Sequence, residues 1–222
     1  MSLTFSIYCH AGEDWANFER YSAENDSIKN NLQHLSPTAV FMGNSITEGW
    51  NSKHPEFFHN NNFAGRGISG QTTHQMLLRF REDVINLHPE IVVINGGTND
   101  IAENNHTFNE DITYGNLVSM AELANANGIK VIMTSVLPAE KFKWRASVKD
   151  APEKIKSLNQ RIKKYAEDHN YPYADYYEAM ISDDIKLNPQ FSEDGVHPNI
   201  KGYAVMESII SPIIIKVISN SK

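Results

Sequence analysis

One cysteine, Cys9, stands among 222 residues, which excludes an internal disulfide, a cysteine-based zinc knuckle and a redox cysteine pair. Basic residues are also short: 20 Lys+Arg against 27 Asp+Glu give a formal charge of −7. A general nucleic-acid binder needs a basic face to neutralise phosphates, so no nucleic-acid partner is expected. No apolar run is long enough to span a bilayer. The longest, Ile209 to Ile218, is interrupted by Pro212 and Lys216 and falls far short of the ~20 residues a span needs. Repeats, low-complexity tracts and a Pro/Gly/Ser-rich linker are missing, which leaves a single globular domain over residues 15–222. Residues 1–14 are set apart because Leu3–Ala11 is a short apolar run without a basic leader. That run reads either as the remnant of a secretory signal behind a tag-derived Met1-Ser2-Leu3, or as an ordinary first segment. The location is secreted or periplasmic in the first case and cytoplasmic in the second.

What is present is an alternation of short apolar runs and amphipathic stretches. Thr38–Met42, Ile91–Asn95 and Val131–Ser135 are continuous apolar runs ending at Gly43, Gly96-Gly97 and near Pro138. Such runs suit strands of a parallel sheet covered on both faces; Asn62–Ala64 and Tyr173–Asp175 are weaker candidates. Between them, Met76, Leu77, Phe80, Val84 and Leu87 share a helical face, as do Leu117, Met120, Ala121 and Ala124, and Ile155, Leu158, Ile162 and Tyr165. A last helix from Asn199 carries Tyr203, Met206, Ile210 and Ile214, with a kink expected at Pro212. An amphipathic pattern from Trp15 to Leu32 predicts a helix before the first strand. These stripes are core packing. The β-α-β-α order implies a doubly wound α/β sandwich, whose ligands bind beyond the C-terminal ends of its strands.

Four polar clusters lie at or near such positions. In Gly43-Asn44-Ser45-Ile46-Thr47-Glu48-Gly49-Trp50, Ser45 sits at a strand-to-helix turn, where a nucleophile is exposed beside backbone N–H groups that can bind an oxyanion. The plain alternative is a helix N-cap. The G-x-S-x-G elbow is not matched, because Thr47 occupies its last position. Gly65-Arg66-Gly67-Ile68-Ser69-Gly70 spells G-x-G-x-x-G, but its preceding strand is weak and Glu90, at the expected acidic spacing, comes before its own strand; a nucleotide loop is therefore rejected. Gly70 is retained as a turn that aims a backbone N–H at a ligand. In Gly96-Gly97-Thr98-Asn99-Asp100, Asn99 offers a side-chain donor to an oxyanion, against the alternative of a tight turn. In Asp194-Gly195-Val196-His197-Pro198-Asn199, a carboxylate three residues before a histidine can orient the ring and leave its other nitrogen as a general base.

Together, in order, Gly43-Asn44-Ser45, Gly70, Gly97-Thr98-Asn99-Asp100 and Asp194-Gly195-Val196-His197 resemble the blocks of the SGNH hydrolases, the GDSL-type esterases and lipases. The resemblance implies a flavodoxin-like three-layer α/β/α sandwich with a central parallel sheet of about five strands. It implies Ser45 as nucleophile, His197 as base, Asp194 as its orienter, and an oxyanion hole from the N–H groups of Ser45 and Gly70 plus the amide of Asn99. No metal or cofactor is implied. Asn44 departs from the Gly-Asp-Ser of the family name and removes a negative charge beside Ser45. Asp14–Asn17, Gly70–Thr73 and Phe142–Arg145 resemble the subgroup related to platelet-activating-factor acetylhydrolase, many of whose members deacetylate carbohydrates.

The expected activity is hydrolysis of short-chain, chiefly acetyl, esters of a small molecule such as an acetylated carbohydrate. The alternatives are a thioesterase or lysophospholipase on the same triad, and a non-catalytic module that binds a glycan or a partner. Trp50, Trp144 and Arg145 are candidate substrate contacts. The nine histidines include no H-x-H or H-E-x-x-H spacing, so chelator-insensitive activity is expected. His54 and His59 read as solvated, and His34, His74, His88, His106 and His169 fall in polar contexts and receive no role.

Overall fold

The computed structural model describes residues 14–30, 36–183 and 185–220. The expectations for Leu3–Ala11, Cys9, Leu32 and His34 lie outside these residues. A 3₁₀ turn (Phe18–Tyr21) leads into α1 (Ser22–Asn30), β1 (Ala39–Gly43), α2 (Ser45–Lys53), α3 (Pro55–Asn60) and β2 (Phe63–Gly67). Next come α4 (Thr73–Asp83), a second 3₁₀ turn (Ile85–Leu87), β3 (Ile91–Ile94), α5 (Thr98–Ile101), α6 (Glu110–Ala126) and β4 (Lys130–Thr134). The chain continues through α7 (Ala151–Asp168), β5 (Tyr173–Ala174), α8 (Tyr176–Met180), the hairpin β6 (Ile181–Ser182) and β7 (Lys186–Leu187), and α9 (Ile200–Ser219).

The five-stranded sheet has the order β2-β1-β3-β4-β5 and is parallel throughout, the doubly wound order found in flavodoxin-like folds. Alternation along the strands explains why the runs had to be apolar at every position. Val40, Met42, Val92, Ile94, Val131 and Met133 pack under Met76, Phe80, Leu117, Met120, Ile155 and Leu158 of α4, α6 and α7. Ala39, Phe41, Ile91, Val93 and Ile132 face the other way, onto Trp50, Phe58, Tyr203, Met206, Ile210 and Ile214. In this strand order β1 and β3 are neighbours whose connections leave to opposite sides, so a crevice opens at their C-terminal ends. Ser45 follows β1, and Asn99 lies in the turn of helix after β3.

Three differences from expectation have local causes. Asn17 takes a left-handed φ of 55°, which breaks the predicted Trp15–Leu32 helix, so that α1 begins only at Ser22. Gly65, Arg66 and Gly67, read as part of a glycine-rich turn, instead lie in β2. Their glycines admit α2: a Cβ on Gly67 would run into the backbone of Asn44, Thr47 and Glu48. Helix α9 passes through Pro212 without ending. Among the described residues it is the one helix long and apolar enough to cross a membrane by length and composition, unlike the shorter Ile209–Ile218 run from which no span was expected. Its Tyr203, Met206, Ile210 and Ile214 are buried against the sheet, as in a core helix.

Candidate active site

The turn from β1 into α2 separates two roles that one residue was expected to compete for. Asn44 is the N-cap, and its side-chain oxygen accepts the N–H of Ile46 at 3.0 Å. Ser45, the first residue of the helix, is thereby released from capping. Its Oγ lies 3.0 Å from Nε2 of His197. Nδ1 of the same ring lies 2.7 Å from Oδ2 of Asp194. The other carboxylate oxygen accepts the N–H groups of Val196 and His197, both at 2.8 Å, and the Ser192 hydroxyl at 3.2 Å. Gly195 allows this tight loop through its left-handed φ of 86°. Burial pushes the Asp194 carboxyl up, but hydrogen bonds from the His197 ring and from the N–H groups of His197 and Val196 outweigh it and hold the group at about 2. It stays ionised through the mildly acidic range and fixes the ring orientation.

Gly70 and Asn99 are brought to the same strand ends by a chain of hydrogen bonds. Ile68 N–H donates to Gly43 O at 3.3 Å, which ties the tail of β2 to the end of β1. Glu48 of α2 accepts the Ser69 N–H at 3.0 Å and the Ser69 hydroxyl. Gly70 follows with a left-handed φ of 80°. The Asn99 amide, nearly buried, donates one N–H to the Gln71 carbonyl at 2.9 Å, and an amide nitrogen carries a second hydrogen.

Asn104 was not singled out from the sequence, yet it connects this turn to the opposite wall. Its amide donates to Gly70 O at 3.1 Å, and its Oδ1 accepts Trp144 Nε1–H at 2.9 Å. Its backbone carbonyl accepts from Arg145 Nη2 at 3.1 Å. Trp144 is 45% exposed, with its ring centroid 6.1 Å from that of His197. Arg145 is half-buried beside it. Trp50, expected to contact substrate, is instead 2% exposed, packed among Phe41, Phe57, Phe58, Tyr176 and Tyr203, and offers no face to a substrate. Its Nε1–H donates to Glu207 at 2.9 Å. His54, expected to be solvated, shares that carboxylate through Nδ1 at 2.8 Å.

Beneath the nucleophile turn lies another group without a sequence signal. Arg79 of α4 is completely buried and donates to Asp83 and Gln71, each at 2.6 Å, and to the carbonyls of Gly43 at 2.9 Å and Arg66 at 3.0 Å. One guanidinium therefore fastens the ends of β1 and β2 from below.

The arrangement can be compared with known proteins. A model of the GDSL-like lipase/acylhydrolase family matches residues 41–205. A crystal structure of a GDSL-like lipase from Bacteroides thetaiotaomicron VPI-5482 is 55% identical, with a TM-score of 0.85, over 90% of this chain and 98% of that one. The structure of Axe2, an acetylxylan esterase from Geobacillus stearothermophilus, shares the fold with a TM-score of 0.59 at 20% identity, over 81% of this chain and 94% of that one. An acetylxylan esterase from Xylanibacter ruminicola is 26% identical over 151 residues, 60% of this chain and 30% of that protein. The chain spans about a third of the length of the curated relatives it matches.

Proposed function

Because the chain belongs to the GDSL-like lipase/acylhydrolase family and is a carboxylic ester hydrolase, we propose that it cleaves short-chain esters, acetyl above all, through an acyl-enzyme on Ser45. The observation that carries this reading is the unbroken relay from Ser45 Oγ through His197 to Asp194, at 3.0 and 2.7 Å. His197 Nε2 takes the Ser45 proton as Oγ attacks the ester carbonyl carbon. The N–H groups of Ser45 and Gly70 and the free hydrogen of the Asn99 amide receive the oxyanion. As the tetrahedral species collapses, the bond to the alkoxy oxygen breaks and His197 returns the proton to the departing alcohol. Water then attacks the acyl-serine, its proton passing through His197 to Ser45, and the carboxylic acid leaves.

An acetylated carbohydrate is the proposed substrate. The name of the Xylanibacter ruminicola relative supports this class. So does Trp144, whose half-exposed ring flanks His197 and offers an aromatic face to a sugar ring, with Arg145 beside it. A fluorophosphonate probe is expected to label one serine per chain, on the peptide containing Ser45. Acetylated xylo-oligosaccharides and p-nitrophenyl acetate are expected to turn over faster than octanoyl and thioester analogues. Absence of labelling would refute the acyl-enzyme, and a preference for octanoyl or thioester substrates would replace the acetyl assignment.

Asn99→Ala is expected to lower kcat by about 10²–10³-fold with little change in KM, because the lost donor acts on charge that develops only in the transition state. The same change removes the bond to Gln71 O, so a melting curve belongs with the kinetics. A fall in kcat under tenfold in a fully folded variant would remove Asn99 from the oxyanion hole.

A further inference from the structure

His74, Asp100 and His106, on three successive segments and given no metal role by the sequence, converge at one place beside the crevice. His74 lies in the first turn of α4, Asp100 in α5, and His106 in the connection to α6. Each offers one ligand atom, and the three atoms all lie within 4.8 Å of one another. His74 Nδ1 is 3.9 Å and His106 Nε2 is 3.6 Å from Asp100 Oδ1. Both ring nitrogens are buried and have no hydrogen-bond partner.

We propose that these three side chains form a binding site for one divalent transition-metal ion, of which zinc suits the two-imidazole, one-carboxylate donor set best. Separations of 3.6 and 3.9 Å are too long for well-formed hydrogen bonds. Two ligand atoms each ~2.0 Å from a tetrahedral zinc lie ~3.3 Å apart, so the three atoms, all within 4.8 Å of one another, would draw together on binding. The surroundings are those of prepared ligands. Nδ1 of His106 is 3.0 Å from the Thr107 carbonyl, a contact that an N–H must make, so a neutral ring turns its Nε2 lone pair toward Asp100. Metal-binding imidazoles are oriented in this way. Asp100 is completely buried and held by Thr73, whose hydroxyl donates to Oδ1 at 2.6 Å and whose N–H donates to Oδ2 at 3.0 Å. Without a metal ion, the group that can answer the buried carboxylate is a protonated His106, whose pKa the adjacent Asp100 raises. His74 and His106 are 30% and 23% exposed, so the site lies close to solvent although its ligand atoms face inward.

The ion is a structural clamp. It joins the start of α4, just after Gly70, to α5, which carries Asn99 next to Asp100. This assignment is independent of the acyl-enzyme chemistry, since neither Ser45, His197 nor Asp194 is a ligand.

The test is zinc titration of EDTA-stripped, dialysed full-length protein in competition with a chromophoric chelator, alongside His74→Ala, His106→Ala and the milder His106→Gln. Wild type is expected to bind one tight equivalent. Each variant should bind that equivalent at least roughly tenfold more weakly, with a circular-dichroism spectrum like that of wild type. Zinc should raise the Tm of wild type and not of the variants. Cobalt(II) should give the intense visible bands of a four-coordinate site in wild type alone. Absence of tight binding in wild type, or equal affinity in the folded His106→Gln and His74→Ala proteins, would overturn the assignment.

Discussion

Ser45→Ala is expected to lower kcat on p-nitrophenyl acetate by about 10⁴–10⁶-fold while leaving Tm nearly unchanged. The size follows from what is removed. Without Oγ no acyl-enzyme forms, and His197 and Asp194 have no nucleophile to deprotonate, so triad members act as one unit and not as additive parts. Activity above that of water should survive in the variant, because the proposed donors at Gly70 and Asn99 remain and can stabilise direct attack by water. Stability should barely change. The lost hydroxyl makes one partly buried hydrogen bond to His197, worth about 1 kcal/mol, and Asn44 rather than Ser45 caps α2. Steady-state kinetics, fluorophosphonate labelling and a thermal melt on one preparation separate the outcomes. A variant keeping more than about a tenth of wild-type kcat would place the nucleophile elsewhere.

Side chains close to strand ends were legible in the sequence because local rules put them there. Continuous apolar runs located β1, β3 and β4, the order of elements implied the doubly wound sheet, and the residues just beyond the strands included Ser45 and Asn99. Asp194 and His197 were readable as a pair because they lie three residues apart in one loop. Trp50 shows where adjacency misleads. Five positions along a helix turn a side chain through about 500°, or ~140° around the axis. Ser45 and Trp50 thus leave α2 on different sides, one toward the crevice and the other into the aromatic core. Arg66 shows the opposite failure: a formal glycine motif masked a strand whose glycines serve helix packing and whose arginine is buried over Tyr21. Asn104, Arg79 and the His74–Asp100–His106 group had no local signature. Each depends on segments 26 to 41 residues apart meeting in space, which no spacing rule encodes.

Arg79→Met is expected to cost about 3–5 kcal/mol of stability, the penalty for removing one partner of a buried, hydrogen-bonded ion pair. The methionine fills the space but donates nothing. Asp83, 2% exposed, would keep a buried carboxylate with Asn25 Nδ2 at 2.7 Å as its remaining side-chain donor among the described residues. The carbonyls of Gly43 and Arg66 and the Gln71 side-chain oxygen would each lose a donor. Urea unfolding should show a lower midpoint at an unchanged slope, the mark of altered native stability. The loss should also reach the chemistry. Gly43 immediately precedes the Asn44-Ser45 turn, and Gln71 accepts from Asn99, so the surviving folded fraction should have a lowered kcat from a loosened turn. Arg79→Lys keeps the charge but not the planar fork that reaches four acceptors, and should fall between the two. Arg79→Met combined with Asp83→Leu discriminates the cause. If the uncompensated carboxylate dominates, the second change recovers a large part of the stability, because replacing both members of a buried pair costs less than breaking it. If the double variant is no more stable than Arg79→Met alone, the strand-end carbonyls are the main debt, and Arg79 holds the nucleophile turn through Gly43 and not through its ion pair.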